Sequence, residues 1–197
     1  MKKFLIAITA ATLLSPVLAS AQKVKLQDGS VNVLKGVKQV NVQFVYDGTT
    51  VGKKSEQDFL ADKKADYNKK EPGKGDTWEK SWKADRKARF EPRFEEEFQK
   101  QSNIVAGDFP SEKYTLIFKT ITTEPGFNIG VMKKNAMIDG EATLVETANP
   151  SHVIAKFSVD NCPGRTFTGN DYNTGERLQE AYAVAGKGLG KYLRKEL

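Results

Sequence analysis

The chain has 197 residues, 31 basic against 25 acidic side chains for a formal charge of +6, one cysteine and one histidine. That is the size of one ordinary domain able to bury a core of its own. A single cysteine excludes an intrachain disulfide, one His with one Cys excludes a conventional zinc site of three or four nitrogen and sulfur ligands, and so mild a charge excess does not imply nucleic acid.

The first residues, MKKFLIAITAATLLSPVLASAQ, set two lysines ahead of an apolar run from Phe4 to Ala19, followed by Ala19-Ser20-Ala21. This is the form of a secretory signal peptide, with cleavage expected after Ala21 and Gln22 as the new N-terminus. The alternative, a membrane anchor, suits it less: the run is shorter and less hydrophobic than the roughly 20 residues of a spanning helix, and Pro16 lies near its end. No cysteine stands at the cleavage point to carry a lipid. The mature chain, with 29 basic and 25 acidic residues, is expected to be soluble in a bacterial periplasm or outside the cell, with no membrane span. Cys162, in DNCPGR, would meet a compartment that permits disulfides, and reads as a small residue at the end of a strand. Its flanking Arg and Asp leave its reactivity open.

Along the mature chain, residues 22–36 are polar with scattered Val and predict an extended N-terminal arm or a short edge strand. From Lys38 to Tyr46, Val40, Val42, Phe44 and Tyr46 alternate with polar residues, the period of a strand with one buried face. DGTTVG closes it as a turn. Ser55, three residues before Asp58, suits a helix start, and the helix runs to about Lys69. EPGKGD, Glu71 to Asp76, breaks it. Asp76 and Glu79 then repeat the capping pattern and open a charged helical segment, about 73–101, set into the domain spanning 37–197.

That segment includes DTWEKSWKADRKARFEPRFEEEFQK, with two Trp, three Phe and seven residues of each charge sign. Pro92 inside it removes a backbone donor and crowds the preceding turn, which predicts a kink or break near Phe90. At about 100° per residue, Trp78 and Trp82 lie about 40° apart, whereas Phe90, Phe94 and Phe98 lie about 120° to 200° away, so the aromatics form two stripes. Glu79 with Lys83 and Asp85 with Arg89 are spaced to pair along the helix. Phosphate binding needs a net positive face, and this run has none. It reads as a self-paired helix surface, or as a protein-binding face with Trp78, Trp82 and Arg86 as anchors, since Trp and Arg are favoured in interfaces.

Tyr114 to Thr122 is apolar on both faces, as a central strand would be. Pro125-Gly126 suits a type II turn. Ala136 to Val145 and Val153 to Val159 alternate, joined by ETANPSH, and the three strands predict a meander. From Asn173, the residues Leu178, Ala181, Tyr182, Ala185, Leu189, Tyr192 and Leu193 share one helix face, with Lys187, Lys191 and Arg194 opposite on a solvated side.

The remaining motifs mostly exclude chemistry. GKGLGK, Gly186 to Lys191, lacks the spacing of a phosphate loop and follows no strand. Its glycines cost roughly 1 kcal/mol each inside a helix, which predicts close packing there, or a break near Gly188. GNDYNTGE, Gly169 to Glu176, is oxygen-rich but lacks the Gly and Glu of a calcium loop, and Asn173 or Thr174 reads better as a helix cap. Ser151, His152 and Cys162 supply a nucleophile and a base by type alone, without a nucleophile elbow. No carboxylate pair stands out, so no catalytic, cofactor or metal residue is assigned.

KTITTEPGFNIG, AMIDGEATLVET and EAYAVAGKGLGKYL, together with the element order, Pro125-Gly126, Gly140 and the Ala/Gly-rich last helix, resemble a group of bacterial secreted and envelope proteins similar to the small α/β domain of the curli-assembly lipoproteins. The resemblance covers Val37 to Leu197. It implies helices on one side of a sheet and an accessory or assembly role at the cell envelope, and brings no catalytic residues with it. The chain departs from the lipoproteins in lacking the lipid-bearing cysteine and in its charged, Trp-containing stretch from Gly73 to Gln101. The expectation is therefore an α+β two-layer sandwich, a sheet of about four to five strands with helices on one face. Its expected role is non-enzymatic binding of another envelope or secreted protein, without cofactor or nucleic acid. The alternatives are a hydrolase using surface carboxylates or His152, and a carrier with a hydrophobic cavity between sheet and helices.

Overall fold

A computed structural model describes residues 23–165 and 173–197. The expected signal peptide and the cleavage after Ala21 lie outside the described residues, as does the first half of Gly169–Glu176.

The N-terminal arm forms β1 (Lys23–Gly29) and a short helical turn at Asn32–Leu34, then β2 (Gln39–Val45), β3 (Thr50–Val51) and β4 (Lys54–Ser55) follow. Helices α1 (Glu56–Lys70) and α2 (Lys74–Asp85) lead through a π-helical turn, Arg86–Phe90, into α3 (Glu91–Ser102). After β5 (Val105–Gly107) come β6 (Tyr114–Glu124), β7 (Phe127–Asn128), β8 (Lys133–Lys134), β9 (Ala136–Glu146), β10 (Asn149–Gly164) and α4 (Thr174–Glu196).

The fold is mixed α+β, but the main sheet has eight strands, not four to five. Six run in the order β1-β10-β9-β6-β2-β5, with β3 attached to β6 and β4 to β3. The polar arm supplies β1 as an edge strand, one of the two forms expected of it, and the extra strands are β3, β4 and β5, two or three residues each. Strands that short complete no alternation that a sequence pattern could reveal. The expected meander is present: β6 pairs β9 and β9 pairs β10, all antiparallel. The connection between β9 and β10 is tighter than ETANPSH, because Asn149 already pairs with Glu146.

Alternation on β9 shows where the core sits: Ala136, Ile138, Ala142 and Leu144 are buried while Glu141 is exposed. Against this face lie α4, which meets β9 and β10, and α3, which packs along α4. Helices α1 and α2 instead pair with each other, and α1 rests on β3 and β4. The helices therefore do not form one layer on one face. All seven expected residues of the α4 face pack into the core, Tyr192 at its edge, and Lys187, Lys191 and Arg194 are exposed.

Close approach explains the glycines of α4, and the helix is unbroken at Gly188. A Cβ at Gly186 would lie 2.1 Å from the Phe94 carbonyl oxygen, and one at Gly190 2.5 Å from that of Phe98. The two backbones touch at a seam, and Phe94 and Phe98 fill the space between seam and sheet with Phe44 and Phe118.

Helix starts follow local chemistry unevenly. The Ser55 hydroxyl accepts from Asp58 N–H at 3.1 Å, and the Asn173 side chain from Gly175 and Glu176 N–H at 2.8 and 3.3 Å. The expected Asp76–Glu79 cap does not form. Helix α2 begins earlier, at Lys74, behind Gly73 at φ +81°, and Asp76 is taken by α1, accepting from Asn68 at 3.0 Å and pairing with Lys64 at 2.7 Å. Pro92 does not break the helical path. The π turn just before it bonds Glu91 N–H to the Arg86 carbonyl, five residues back, and Pro92 occupies the first turn of α3, where its missing donor costs little.

Candidate functional site

Two aromatic pairs built on helical spacing meet between α1 and α2. Phe59, Lys63 and Tyr67 stand four residues apart on one face of α1, and Trp78 with Trp82 do the same on α2. The turn at Glu71–Gly73 folds α2 back on α1. Gly75 makes the approach possible, since a Cβ there would sit 2.2 Å from the Lys64 carbonyl oxygen.

The rings interlock with centroid separations of 5.3 Å for Phe59–Trp82, 5.6 Å for Tyr67–Trp78 and for Trp78–Trp82, and 6.0 Å for Phe59–Trp78. Opposite this wall lie Val51 and Gly52 of the β3 turn, the β6–β7 turn from Glu124 to Phe127, and Thr174 at the start of α4. Between them runs a groove of about 340 Å³, open to solvent. Trp82 is buried at its base, while Trp78, Phe59 and Tyr67 are half-buried and Phe127 is exposed.

Charged side chains fix the wall from behind. Glu56, the first residue of α1, accepts from Trp82 Nε1 at 2.8 Å and from Arg86 Nη2 at 2.6 and 2.5 Å. The Arg86 guanidinium lies 4.2 Å from the Tyr46 ring centroid, a stacking that favours Arg over Lys. Tyr46 donates to Glu91 at 3.3 Å, and burial, then Tyr182, pushes its hydroxyl well above the usual tyrosine range. Arg86 is thus spent on positioning Trp82 and not presented outward.

The opposite wall depends on Arg177, which sequence reading misses. It is 2% exposed and donates to the Pro125 carbonyl from Nε at 3.3 Å and Nη2 at 3.1 Å, and from Nη2 to the Gly126 carbonyl at 3.3 Å and Thr174 Oγ1 at 3.0 Å. Gly126, at φ +62°, completes the expected turn. Arg177 falls just outside the apolar stripe of α4, so periodicity gives it no role.

In the groove, the polar groups are largely engaged. Glu124 accepts from Gly126 N–H at 3.1 Å and from Lys134 at 2.5 Å, and Lys63 lies over Phe59 at 5.9 Å. The other candidates do not converge. Cys162 is fully buried in β10, whereas His152 is exposed beside Glu146, Nδ1 to carboxylate 3.3 Å. Ten residues of strand put them roughly 30 Å apart. The apolar seam between sheet and helices, bounded by Leu34, Phe98, Leu144 and Leu189, leaves a void of only about 10 Å³, room for a single water at most. No three His, Cys, Asp or Glu side chains gather as metal ligands among the described residues, and no described helix is long and apolar enough to cross a membrane.

The self-pairing read from the charged run is present: Glu79–Lys83 at 2.6 Å and Asp85–Arg89 at 2.9 Å, with Arg93 joining Glu96 at 2.6 Å and Glu97 at 3.2 Å.

No protein-family model matches the chain, and no curated protein matches it in sequence. Among solved structures it is similar to the PelC dodecamer from Paraburkholderia phytofirmans, with 12% identity and a TM-score of 0.42 over 86% of this chain and 97% of that one. A single-substitution PelC dodecamer from the same organism gives 11% identity and a TM-score of 0.38 over 85% and 99%.

Proposed function

We propose that the chain is a non-enzymatic accessory domain of the bacterial envelope or exterior that holds an extended apolar segment of another protein in the aromatic groove. The observation that carries this reading is the groove itself: five aromatic rings line about 340 Å³ of solvent-accessible space, the lower end of the range for ligand sites. Flat faces such as Trp78 and Tyr67 stack on proline rings and aliphatic side chains of an extended peptide, the way aromatic-lined grooves take such segments. Reaction chemistry finds less support there, because Glu124 is held by Lys134 and Gly126. A carrier role finds less in the seam, whose void is too small for an apolar ligand. The leader-like N-terminus and the resemblance to envelope proteins support the location.

Both tryptophans of the chain line the groove, so intrinsic fluorescence reports on it selectively. A photocrosslinker replacing Lys63, at the groove rim, is expected to capture a partner in the native envelope, and Trp78→Ala to reduce that capture at least about tenfold. Recovery of monomer alone, under every growth condition, would defeat the reading.

A further inference from the structure

Between β7 and β8 the chain presents apolar side chains to water. Ile129, Val131 and Met132 are 63%, 91% and 58% exposed. The hairpin forms a sheet of its own, apart from the main one, and a Cβ built on Gly130 at its tip meets nothing within 4 Å. We propose that this hairpin tip is a contact point for an anionic lipid bilayer, entering the interfacial region while the body of the domain stays in water. The inference is separate from the groove.

Three features favour a bilayer over a protein as the occupant. First, three backbone donors of the tip are already bonded within the hairpin. Ile129 N–H bonds the Met132 carbonyl at 3.0 Å, Gly130 N–H the Asn128 side chain at 2.9 Å, and Val131 N–H the Ile129 carbonyl at 3.1 Å. Bonded amides are a condition for entering an apolar medium, which penalises each open one. Second, polarity is layered along the hairpin. The apolar tip is followed by Lys133 and Lys134, and Lys63 lines the groove that Phe127 also lines. Apolar surface with cations behind it matches acyl chains with anionic headgroups above them. Glu124, paired with Lys134, is the carboxylate at the hairpin base. Third, the tip projects into open space, with Val131 91% exposed and nothing within 4 Å of a Cβ on Gly130. Such a shape buries little against a rigid surface, while a fluid bilayer closes around it.

The test uses the exported protein, its N-terminus read by mass spectrometry, floated with vesicles of phosphatidylethanolamine and phosphatidylglycerol. The wild type is expected to float with them, less so with phosphatidylcholine alone, and less as salt screens the lysines. Val131→Asp should lower partitioning at least about tenfold with an unchanged melting curve, since the side chain touches little in the fold. Trp78→Ala should float like the wild type. A second measurement places an environment-sensitive fluorophore on Val131→Cys, the buried Cys162 resisting the label. Its emission is expected to rise several-fold on anionic vesicles, while the same label on Glu141→Cys, on the main sheet, stays unchanged. Absence of flotation at any anionic content overturns the proposal. So do equal responses from both labels, and so does a Val131→Asp variant that floats normally but dissociates an oligomer or sheds a bound protein.

Discussion

The helical run from Lys74 to Ser102 carries aromatics four residues apart in both halves, yet the halves end in different environments. Trp78 and Trp82 face Phe59 and Tyr67 of α1 and leave an open groove. Phe90, Phe94 and Phe98 face α4 and the sheet and are at most 5% exposed. The cause lies in what the opposite helix offers. Helix α4 brings Gly186 and Gly190, which let backbones touch and the Phe rings sink between them. Helix α1 brings rings of its own, and rings against rings cannot close to backbone contact except near the turn, at Gly75. An aromatic stripe therefore tells which face is apolar, and its partner decides whether the face becomes core or site.

Substitutions in the two halves should differ accordingly. Phe94→Ala empties a fully buried position among Phe44, Phe98 and Phe118 and is expected to cost about 4 kcal/mol of stability, measured by urea unfolding. Gly186→Ala places a methyl group 2.1 Å from the Phe94 carbonyl oxygen. Because backbone must move, about 3 kcal/mol is expected despite the better helix propensity of Ala. Trp78→Ala removes a half-buried ring at a cost of about 1–2 kcal/mol but should reduce partner capture at least about tenfold. A loss of stability from Trp78→Ala as large as that from Phe94→Ala would erase the distinction between core and groove.

How much of this could be read beforehand depended on the range of the interactions. The Ser55 cap, the burial of β6 and β9, and the α4 face all follow from residues within one or two turns of each other. The glycines of α4 signalled close packing, although not that α3 was the neighbour. The second half of the charged segment beginning near Gly73, α3, lies in the core, which its charge pattern does not announce. The groove was invisible because its walls come from α1, α2, β3, the β6–β7 turn and α4, and Phe59 and Tyr67 drew no notice without a partner. Trp78 and Trp82 share one face of α2, as their spacing predicts, whereas Arg86 supports Trp82 from behind. The β7–β8 hairpin is four paired residues around a turn, too short for periodicity to mark, and Arg177 acts through carbonyls some fifty residues away in sequence.

The contrast between the halves extends to their carboxylates, which gives the smallest but most specific effect. Glu79, in the Trp half, is held below the usual carboxylate range by hydrogen bonds from Lys83 and Lys64 at the surface. Glu95, next to Phe94, faces the hollow between α3 and β5, and burial, then the neighbouring Glu91, pushes it up to about 7, with Asp108 adding to the rise and Lys87 opposing it. The folded protein thus retains a proton on Glu95 that the unfolded chain releases near 4.5. The stability this confers is fully present below about pH 4.5 and lost as pH rises through about 7. Glu95→Gln, neutral throughout, should therefore lose less stability than the wild type between pH 5 and pH 8. At pH 8 it should be the more stable of the two by about 1 kcal/mol, a figure reduced from the full shift because water partly screens the group. Glu79→Gln should show no such crossover, since its carboxylate is charged in both states over that range. Parallel urea midpoints for wild type and Glu95→Gln would mean that the buried Phe seam does not draw its neighbouring carboxylate out of water.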